Sequence, residues 1–466
     1  MRQLTSLQLH VSCLRQTQQQ QLVPQQLAAL LEAVGKLQRC KQLSIMLDPP
    51  EGNSCSVVAA AAAVQQFKTT GANLPLAPLP ELVTLQPIVQ LSSCLQSLQV
   101  TAQQRLPVAA LVHLACLSRL TALHLECSRR RSRSSSSSSS VPIAGRRSSA
   151  NYEEGAVAAL LPVMPQLQQL ALLGYFEQPQ QQHHEAVLPQ PDGSSMLPLL
   201  QHLQPSTLTA LDLGHNSPGR LPFPAAAHPM AALTRLRSLG LAGAAVAAAD
   251  LAVVGQGLRC LTRLDLRHSS DAELAAGLAG SDGRGDVYGT AVLPLQHWLG
   301  HCSGLQELLL GGRALTAHDI AAVQQQLLQL TALDLSGAHT GASALAHGLC
   351  SAGRQGGGRP TQLRVDAVAR RKLDAAQLVR LSLHGTRLGP DGLLELAAAA
   401  AAAARAPAGL ASSSSLAQLR ELDLRGCRAG GAAVAALRRA LPGLQVVQLD
   451  GMDWAEPGLE WLIGDY

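Results

Sequence analysis

Residues 378–397 read LVRLSLHGTRLGPDGLLELA, and this stretch decides the architecture of the chain. Five of its side chains fill a frame of the form L-x-x-L-x-L-x-x-T-x-L, namely Leu378, Leu381, Leu383, Thr386 and Leu388. Positions 4 and 6 are two residues apart, so on an extended strand both side chains point to one face. A polar residue at position 9 suits the hydrogen bonding of backbone groups where the chain turns. One such unit cannot bury its leucines alone, whereas stacked copies can.

The same frame recurs along the chain. Thirteen segments match its first six positions, and they begin at Leu4, Cys40, Leu95, Leu120, Leu167, Leu208, Leu236, Leu261, Leu305, Leu330, Leu378, Leu419 and Leu444. Four of the spacings between neighbouring frames are 25 residues, and one is 28. This recurrence predicts an α/β fold, a right-handed solenoid (horseshoe) with a parallel sheet on its concave face and a helical or irregular convex side.

Three segments between frames are predicted as helices of the convex side, because each follows a turn and has apolar residues at helical spacing. They are 316–328, 390–404 and 430–441. Thr316 and Asp319 form a capping signature at the start of the first.

Two phrases carry a family resemblance, RLGPDGLLELA at 387–397 and ALTAHDIAAVQQQL at 314–327. The chain resembles intracellular leucine-rich repeat proteins with helical convex faces, a group that includes the ribonuclease-inhibitor-like and cysteine-containing subfamilies. Its low-complexity insertions are similar to those of green-algal members. The resemblance implies the fold and a binding role, because the family shares no catalytic residues.

The domain organisation follows from composition. Leucine-rich repeats are predicted over 1–127 and 151–450, separated by a disordered Arg/Ser-rich insertion at 128–150. Further flexible insertions are expected near 177–206 and 351–372. Residues 451–466, with Trp454, Trp461 and Tyr466, are expected to form a C-terminal cap over the open end of the last leucine layer. A docking site for a partner is the alternative interpretation of this segment.

Charge and cysteine usage narrow the class of protein. The net charge is +5, but 128–150 alone carries six arginines and no acid, so the remainder is 5 − 6 = −1. A body this close to neutral lacks the basic surface of a nucleic-acid-binding protein. The ten cysteines form no C-x-x-C pair, and neither a secretory signal nor an apolar run long enough to span a bilayer is present. We therefore expect a cytoplasmic protein, with the cytoskeleton, a ciliary axoneme or the nucleus as alternatives.

Other motifs have ordinary explanations. Arg284-Gly285-Asp286 reads as a Gly-rich turn, since cell adhesion would need an extracellular loop. His297 and His301 would share a helix face beside Cys302, but two ligands without a certain third do not predict a zinc site. No phosphate-binding loop or nucleophile motif is apparent. No metal, cofactor or catalytic residue is predicted.

The leading hypothesis is a non-enzymatic protein–protein interaction scaffold, a monomer that binds a protein partner on the concave face of the solenoid. No small-molecule substrate, nucleic acid or membrane partner is expected. One alternative is the substrate-recognition subunit of an SCF-type ubiquitin ligase, although no F-box is seen ahead of the first frame. Another is a component of the ciliary axoneme or the cytoskeleton.

The candidate binding residues occupy frame positions 3, 5 and 7, which point away from the leucine core. In the N-terminal repeats they are neutral: Ser6, Gln8, Gln42, Ser44, Ser97 and Gln99. Toward the C-terminus they become charged, and the predicted protein-binding residues are Arg263, Asp265, Arg267, Glu307, Asp334, Arg380, His384, Glu421, Asp423, Arg425 and Asp450.

The competing interpretation is that these charges neutralise one another, Arg380 with Glu421 and Arg425 with Asp450, and only keep the surface soluble. Four aspartates recur at position 5 of the frame, an observation that we attribute to its exposure to solvent. They are Asp212, Asp265, Asp334 and Asp423.

Overall fold

The computed structural model describes fifteen segments and four isolated residues of the chain. They are 6–12, 33, 40–48, 91, 93–102, 114–127, 161–174, 197–203, 206–216, 226–244, 246, 248–268, 295–312, 315–338, 345–346, 349, 378–386, 388–405 and 415–449. The chain divides into two compact units, Met1–Arg220 and Leu221–Tyr466. The predicted insertions at 128–150 and 351–372, most of the one near 177–206, the tripeptide at 284–286 and the predicted cap at 451–466 lie outside the described residues.

The N-terminal unit contains six described parallel strands that pair in chain order. They are β1 (Ser6–Ser12), β2 (Gln42–Asp48), β3 (Ser97–Ala102), β4 (Ala122–Cys127), β5 (Gln169–Leu173) and β6 (Ala210–Asp212). Residues at the same frame position are register partners on neighbouring strands; Leu98 and Leu123, both at position 4, are an example. A 3-10 turn (Leu161–Val163) and a short helix α1 (Leu197–His202) precede β5 and β6.

The C-terminal unit contains seven described parallel strands, again paired in chain order. They are β7 (Ser238–Gly240), β8 (Arg263–Asp265), β9 (Glu307–Leu309), β10 (Ala332–Asp334), β11 (Arg380–Ser382), β12 (Glu421–Asp423) and β13 (Val446–Gln448). Each of the thirteen strands in the two units begins at position 3 of one of the thirteen predicted frames. The prediction of parallel strands from the frame is therefore confirmed.

Helices lie between these strands. The described ones are α2 (Ala227–Ala231), α3 (Ala248–Gly257), α4 (Gln296–Leu299), α5 (Ala317–Gln326), α6 (Pro390–Ala404) and α7 (Gly431–Ala440), with a 3-10 turn at Ser415–Gln418. Neighbouring helices pack against each other, as α6 does against α7. Thr316 and Asp319 form the predicted capping box, in which the Asp319 backbone N–H donates to Thr316 Oγ1 at 3.2 Å and the Thr316 N–H donates to Asp319 Oδ2 at 2.9 Å.

The core is a stack of leucine layers. Positions 1, 4 and 6 of the frame are buried from the repeat of Cys40 to the repeat of Leu419, wherever they are described. In the repeats that carry α3, α5, α6 and α7, the helix and the residues just after it add three more buried positions, 16, 19 and 23. These are Leu251, Val254 and Leu258; Ile320, Val323 and Leu327; Leu393, Leu396 and Ala400; and Val434, Leu437 and Leu441. Burial of this apolar surface is the main stabilising term, because one repeat exposes it and the stack removes it from water.

Strand length depends on position 8 of the frame. In the eight repeats from that of Leu167 to that of Leu419, position 8 has positive φ. It is Gly174, His215, Gly243, His268, Gly312, Gly337, Gly385 or Gly426. The chain turns there, so the strand ends within the preceding residues. The first four repeats have Val11, Leu47, Ala102 and Cys127 at this position, and their strands run on for six or seven residues. Apolar side chains rarely adopt positive φ, which explains the difference.

Polar side chains join successive repeats at two positions. At position 2, the hydroxyls of Thr121, Thr209, Thr262 and Thr331 each donate to the position-2 carbonyl of the preceding repeat, at 3.0–3.1 Å. At position 9, Asn216 Nδ2 donates to the carbonyls of Leu172 and Leu213, both at 2.7 Å. Cys427 Sγ donates to the Leu383 carbonyl at 3.0 Å. The predicted role of position 9 is therefore confirmed for these two residues.

Candidate functional site

Positions 3, 5 and 7 of the C-terminal unit lie on the side of the sheet that faces away from the leucine core, which we call the open face. The strand register aligns position 3 in one row: Ser238, Arg263, Glu307, Ala332, Arg380, Glu421 and Val446. It aligns position 5 in a second row: Gly240, Asp265, Leu309, Asp334, Ser382, Asp423 and Gln448. Neighbouring parallel strands lie about 4.8 Å apart, so adjacent members of a row are within reach of one another.

A depression of about 220 Å³ lies on this face over β9–β13. Five of the predicted binding residues line it, namely Glu307, Asp334, Arg380, Glu421 and Asp423. The structure thus brings together side chains that are 116 positions apart in the chain, from 307 to 423. Arg263, Asp265 and Arg267 lie beside it on β8 and the following turn, and His384 and Arg425 lie at position 7. Asp450 lies outside the described residues.

The open face also carries apolar residues, which the charge pattern of the sequence does not indicate. Leu309 and Val446 line the depression with Ala332, Ser382 and Gln448. Val446 is 39 % exposed. Their frame positions, 3 and 5, were the signal that could have identified them. Leu309 on β9 and Val446 on β13 lie at opposite ends of the depression along the strand order, and the charged residues of β11 and β12 lie between them.

Three ion pairs neutralise part of the charge on the open face. Arg263 Nη1 lies 2.6 Å from Glu307 Oε1 across neighbouring strands. Arg267 Nη2 lies 2.6 Å from Asp265 Oδ2. Arg425 Nη2 lies 2.8 Å from Asp423 Oδ2. These arginines are about 40–50 % exposed, so each pair contributes little, in the range of about 0–1 kcal/mol.

The recurrence of aspartate at position 5 has a different cause from the solvent exposure expected from the sequence. Each of the four accepts the backbone N–H two residues later, at Gly214, Arg267, Ser336 or Arg425, over 2.8–3.1 Å. Asp265 is only 6 % exposed. Their recurrence is therefore explained by the turn that ends each strand, in which an Asp side chain satisfies a free backbone donor, and not by exposure to solvent.

Arg380 and Glu421 remain as the exposed charges of the depression. They are Cα partners on β11 and β12, and both side chains are exposed. Within the described parts of the chain, no ion pair joins them, so the expected neutralisation of Arg380 by Glu421 is not observed. Arg425 pairs with Asp423 of its own repeat.

The pKa of the Asp423 carboxyl group is affected by Arg425 of its own repeat and by His384 of the preceding one. Partial burial raises the pKa of its carboxyl group, but the side-chain and backbone hydrogen bonds of Arg425 lower it, as do the charges of Arg425 and His384. The net result is a pKa below the ordinary value. The carboxylate is therefore ionised at neutral pH and stays committed to the turn.

The histidines near Cys302 do not form the helix face considered from the sequence. Helix α4 ends at Leu299, and His301 lies in the turn beyond it. Both His297 and His301 are exposed, whereas Cys302 is buried. Among the residues that the structure describes, no group of three or more His, Cys, Asp or Glu side chains is placed to hold a metal ion.

The repeat frame, the parallel strands and the buried leucine layers define the fold of each unit as a leucine-rich repeat. The predicted α/β class is thus confirmed. No family model and no curated protein matches the chain. In the described segments, no helix is both long enough and apolar enough to cross a membrane.

Solved structures of leucine-rich repeat proteins are similar to the chain at low identity. An internalin of Listeria monocytogenes is 13 % identical, with 90 % of this chain and 78 % of that chain covered and a TM-score of 0.37. A leucine-rich repeat protein of Leptospira interrogans is 14 % identical, with 95 % of this chain and 89 % of that chain covered and a TM-score of 0.32. The leucine-rich repeat-containing protein LegL7 of Legionella pneumophila is 16 % identical, with 76 % of this chain and 83 % of that chain covered and a TM-score of 0.38. At these TM-scores the likeness carries no argument about function.

Proposed function

We propose that the chain is a non-enzymatic scaffold that binds another protein on the open face of its C-terminal unit. The observation that carries the proposal is the depression over β9–β13, which has apolar residues at Leu309 and Val446 and exposed charges at Arg380 and Glu421. A protein partner with complementary charge would be steered to this face and selected by it.

The pattern of pairing favours Arg380 and Glu421 over the other predicted contacts. Arg263, Arg267 and Arg425 each have a carboxylate within 2.8 Å. A partner would have to compete with those pairs. Arg380 and Glu421 form no ion pair with each other within the described parts of the chain, so an incoming charge meets no such competition there.

A binding role suits the described chemistry of this face better than catalysis. Asp265, Asp334 and Asp423 accept backbone hydrogen bonds in turns, and Asp423 has a lowered pKa. A general acid needs the opposite, a carboxyl group whose pKa is raised toward neutrality. We therefore propose no substrate and no cofactor for the face.

The test begins with affinity capture on the full-length chain from native extract, followed by identification of the bound protein by mass spectrometry. The affinity of the purified partner is then measured for Arg380→Glu and Glu421→Lys. Each reversal is expected to weaken binding by about tenfold or more, which corresponds to about 1.4 kcal/mol. The melting temperature is expected to stay unchanged, because both side chains are exposed.

The matched control is Arg259→Glu, which changes charge equally at an exposed turn residue off the open face. Asp423 and Arg425 are poor probes, since their reversal also removes the turn hydrogen bonds. If both reversals leave affinity intact while deletion of 128–150 abolishes it, the open face is not the contact surface.

We further propose a reducing compartment, the cytoplasm, for this scaffold. Among the cysteines that the structure describes, Cys40, Cys116, Cys260 and Cys302 are free thiols. Cys40, Cys127 and Cys302 are buried and occupy the core as small apolar side chains. The protein is purified from its natural source, denatured without reduction and alkylated, and all ten cysteines should then be modified. A mass that shows two or more unmodified cysteines would indicate a disulfide and contradict the proposal.

A further inference from the structure

The last described repeat leaves its leucine layer partly uncovered. Three core positions of this repeat are only half-buried: Leu444, Val447 and Leu449. The same positions in the preceding repeat are at most 1 % exposed: Leu419, Leu422 and Leu424. The last described repeat therefore presents apolar surface at β13, and contiguous apolar surface marks a contact site.

The helical repeats of the C-terminal unit show what normally follows a strand. Position 8 has positive φ, and position 11 is buried in three repeats, at Val246, Leu315 and Leu388. Positions 16, 19 and 23 are buried in all four repeats that carry α3, α5, α6 and α7. These positions form a template that reaches from the strand to the residues after the helix.

The sequence after β13 fits this template. Counted from Leu444 as position 1, Gly451 falls at position 8 and Trp454 at position 11. Leu459, Leu462 and Tyr466 fall at positions 16, 19 and 23. Every buried position of the template thus receives an apolar or aromatic residue, and the turn position receives glycine.

Two of these residues differ in size from their equivalents. Position 11 holds Val, Leu or Ala in the four helical repeats, and position 23 holds Leu or Ala, whereas here they are Trp454 and Tyr466. The whole chain contains only three Trp and four Tyr. A larger ring covers more of the leucine side chains against which it packs.

We propose that 450–466 completes the thirteenth repeat, with Trp454 and Tyr466 closing the open leucine layer. The occupant of this end is the chain's own segment, and not a second copy or another protein. Covalent attachment directly after Leu449 gives the segment a high effective concentration at this surface. This inference is independent of the proposed binding role of the open face.

Tryptophan fluorescence of the full-length chain tests the proposal. The double variant Trp298→Phe/Trp461→Phe leaves only Trp454, and Trp298→Phe/Trp454→Phe leaves only Trp461. Position 18, where Trp461 falls, is exposed at Glu395, half-buried at Val253 and Ala436, and buried only at the small Ala322, whereas position 11 holds a fully or nearly buried large side chain in three of the four repeats. We expect Trp454 to emit at shorter wavelength than Trp461 and to resist acrylamide quenching at every protein concentration.

A second measurement keeps the test valid if loss of the buried Trp298 disturbs folding. In the otherwise unchanged chain, Leu462→Asp is expected to lower the urea midpoint, and the control Glu460→Lys is not. Equal quenching of the two tryptophans would overturn the proposal. Protection of Trp454 that grows with protein concentration would show a second copy instead, and protection only on adding extract would show a partner.

Discussion

Arg425 and Asp423, two residues apart at the end of β12, are joined by three hydrogen bonds. Arg425 Nε donates to Asp423 Oδ1 at 3.0 Å, and Nη2 donates to Oδ2 at 2.8 Å. The Arg425 backbone N–H also donates to Oδ1, at 3.1 Å. Arg267 and Asp265 form the same arrangement at the end of β8. These ion pairs are parts of turns, which is why the binding proposal depends on Arg380 and Glu421 instead.

Substitution of Asp423 separates the turn from the ion pair. Asp423→Asn retains an oxygen that can accept the Arg425 N–H, whereas Asp423→Ala retains none. We expect the free energy of unfolding to fall in the order wild type, Asn, Ala, with steps of about 0.5–1.5 kcal/mol for each lost interaction. Urea denaturation measures it. Equal stability of the Asn and Ala variants would contradict a role in the turn.

The contribution of Asp423 is expected to depend on pH. Because its pKa is lowered in the folded chain, its carboxylate contributes stability above the unfolded-state pKa of about 3.9. That stability is lost as the pH falls through the lower folded-state value. The stability difference between wild type and Asp423→Asn should therefore shrink in acid. Denaturation curves near neutrality and at about pH 3 give the comparison.

Truncation of a layer leucine tests the stack itself. Leu383 is fully buried at position 6 of its repeat. Leu383→Ala is expected to cost about 2–5 kcal/mol, since it removes buried methyl groups and leaves a cavity. Leu394→Ala is the control, because Leu394 on α6 is 40 % exposed and its loss should change stability by less than about 0.5 kcal/mol. Comparable losses for both would mean that the layer is not tightly packed.

Gly257 is expected to resist replacement by a better helix former. It ends α3, where an added Cβ would lie 2.6 Å from Cβ and 2.7 Å from Cα of Ala231, in contact with that residue's carbonyl oxygen. Gly257→Ala should therefore destabilise the chain by about 1–3 kcal/mol, despite its gain in helix propensity. Gly389→Ala is the control, as nothing lies within 4 Å of its added Cβ. Thermal unfolding distinguishes the two.

Cys302 is expected to be unreactive in the native chain. Burial raises the pKa of its thiol to about 11, so almost none of it is thiolate at neutral pH, and the thiolate is the nucleophile. Cys260 is exposed and serves as the internal control. Iodoacetamide followed by peptide mass spectrometry should label Cys260 first and Cys302 only after denaturation. Labelling of both at similar rates would contradict the burial of Cys302.

The repeat frame predicted the strands because its leucines report a simple geometric requirement. Leu381 and Leu383 must share one face of a strand, and that requirement fixes where each strand begins. The length of the strands was harder to foresee, since it depends on whether position 8 tolerates positive φ. Gly385 and Cys127 occupy the same position and give a three-residue and a six-residue strand.

The candidate site was predictable only in outline. The frame indicated which residues lie on the open face, and five of them line the depression. It did not reveal that Asp423 belongs to a turn, because an Asp at position 5 suits both a solvent-facing side chain and a backbone cap. Nor did it exclude a pair between Arg380 and Glu421, since strand register brings their Cα atoms together but does not fix their side-chain rotamers.

The pairing of β10 with β11 has a practical consequence. Leu330 and Leu378 are 48 positions apart, nearly twice the usual 25, yet Ala332 still faces Arg380 and Leu333 still faces Leu381. The number of residues between two strands can therefore vary while the register of the strands stays the same. An epitope or fluorescent reporter placed within 351–372 should be carried without shifting any leucine out of its layer, giving a labelled protein whose open face is unaltered.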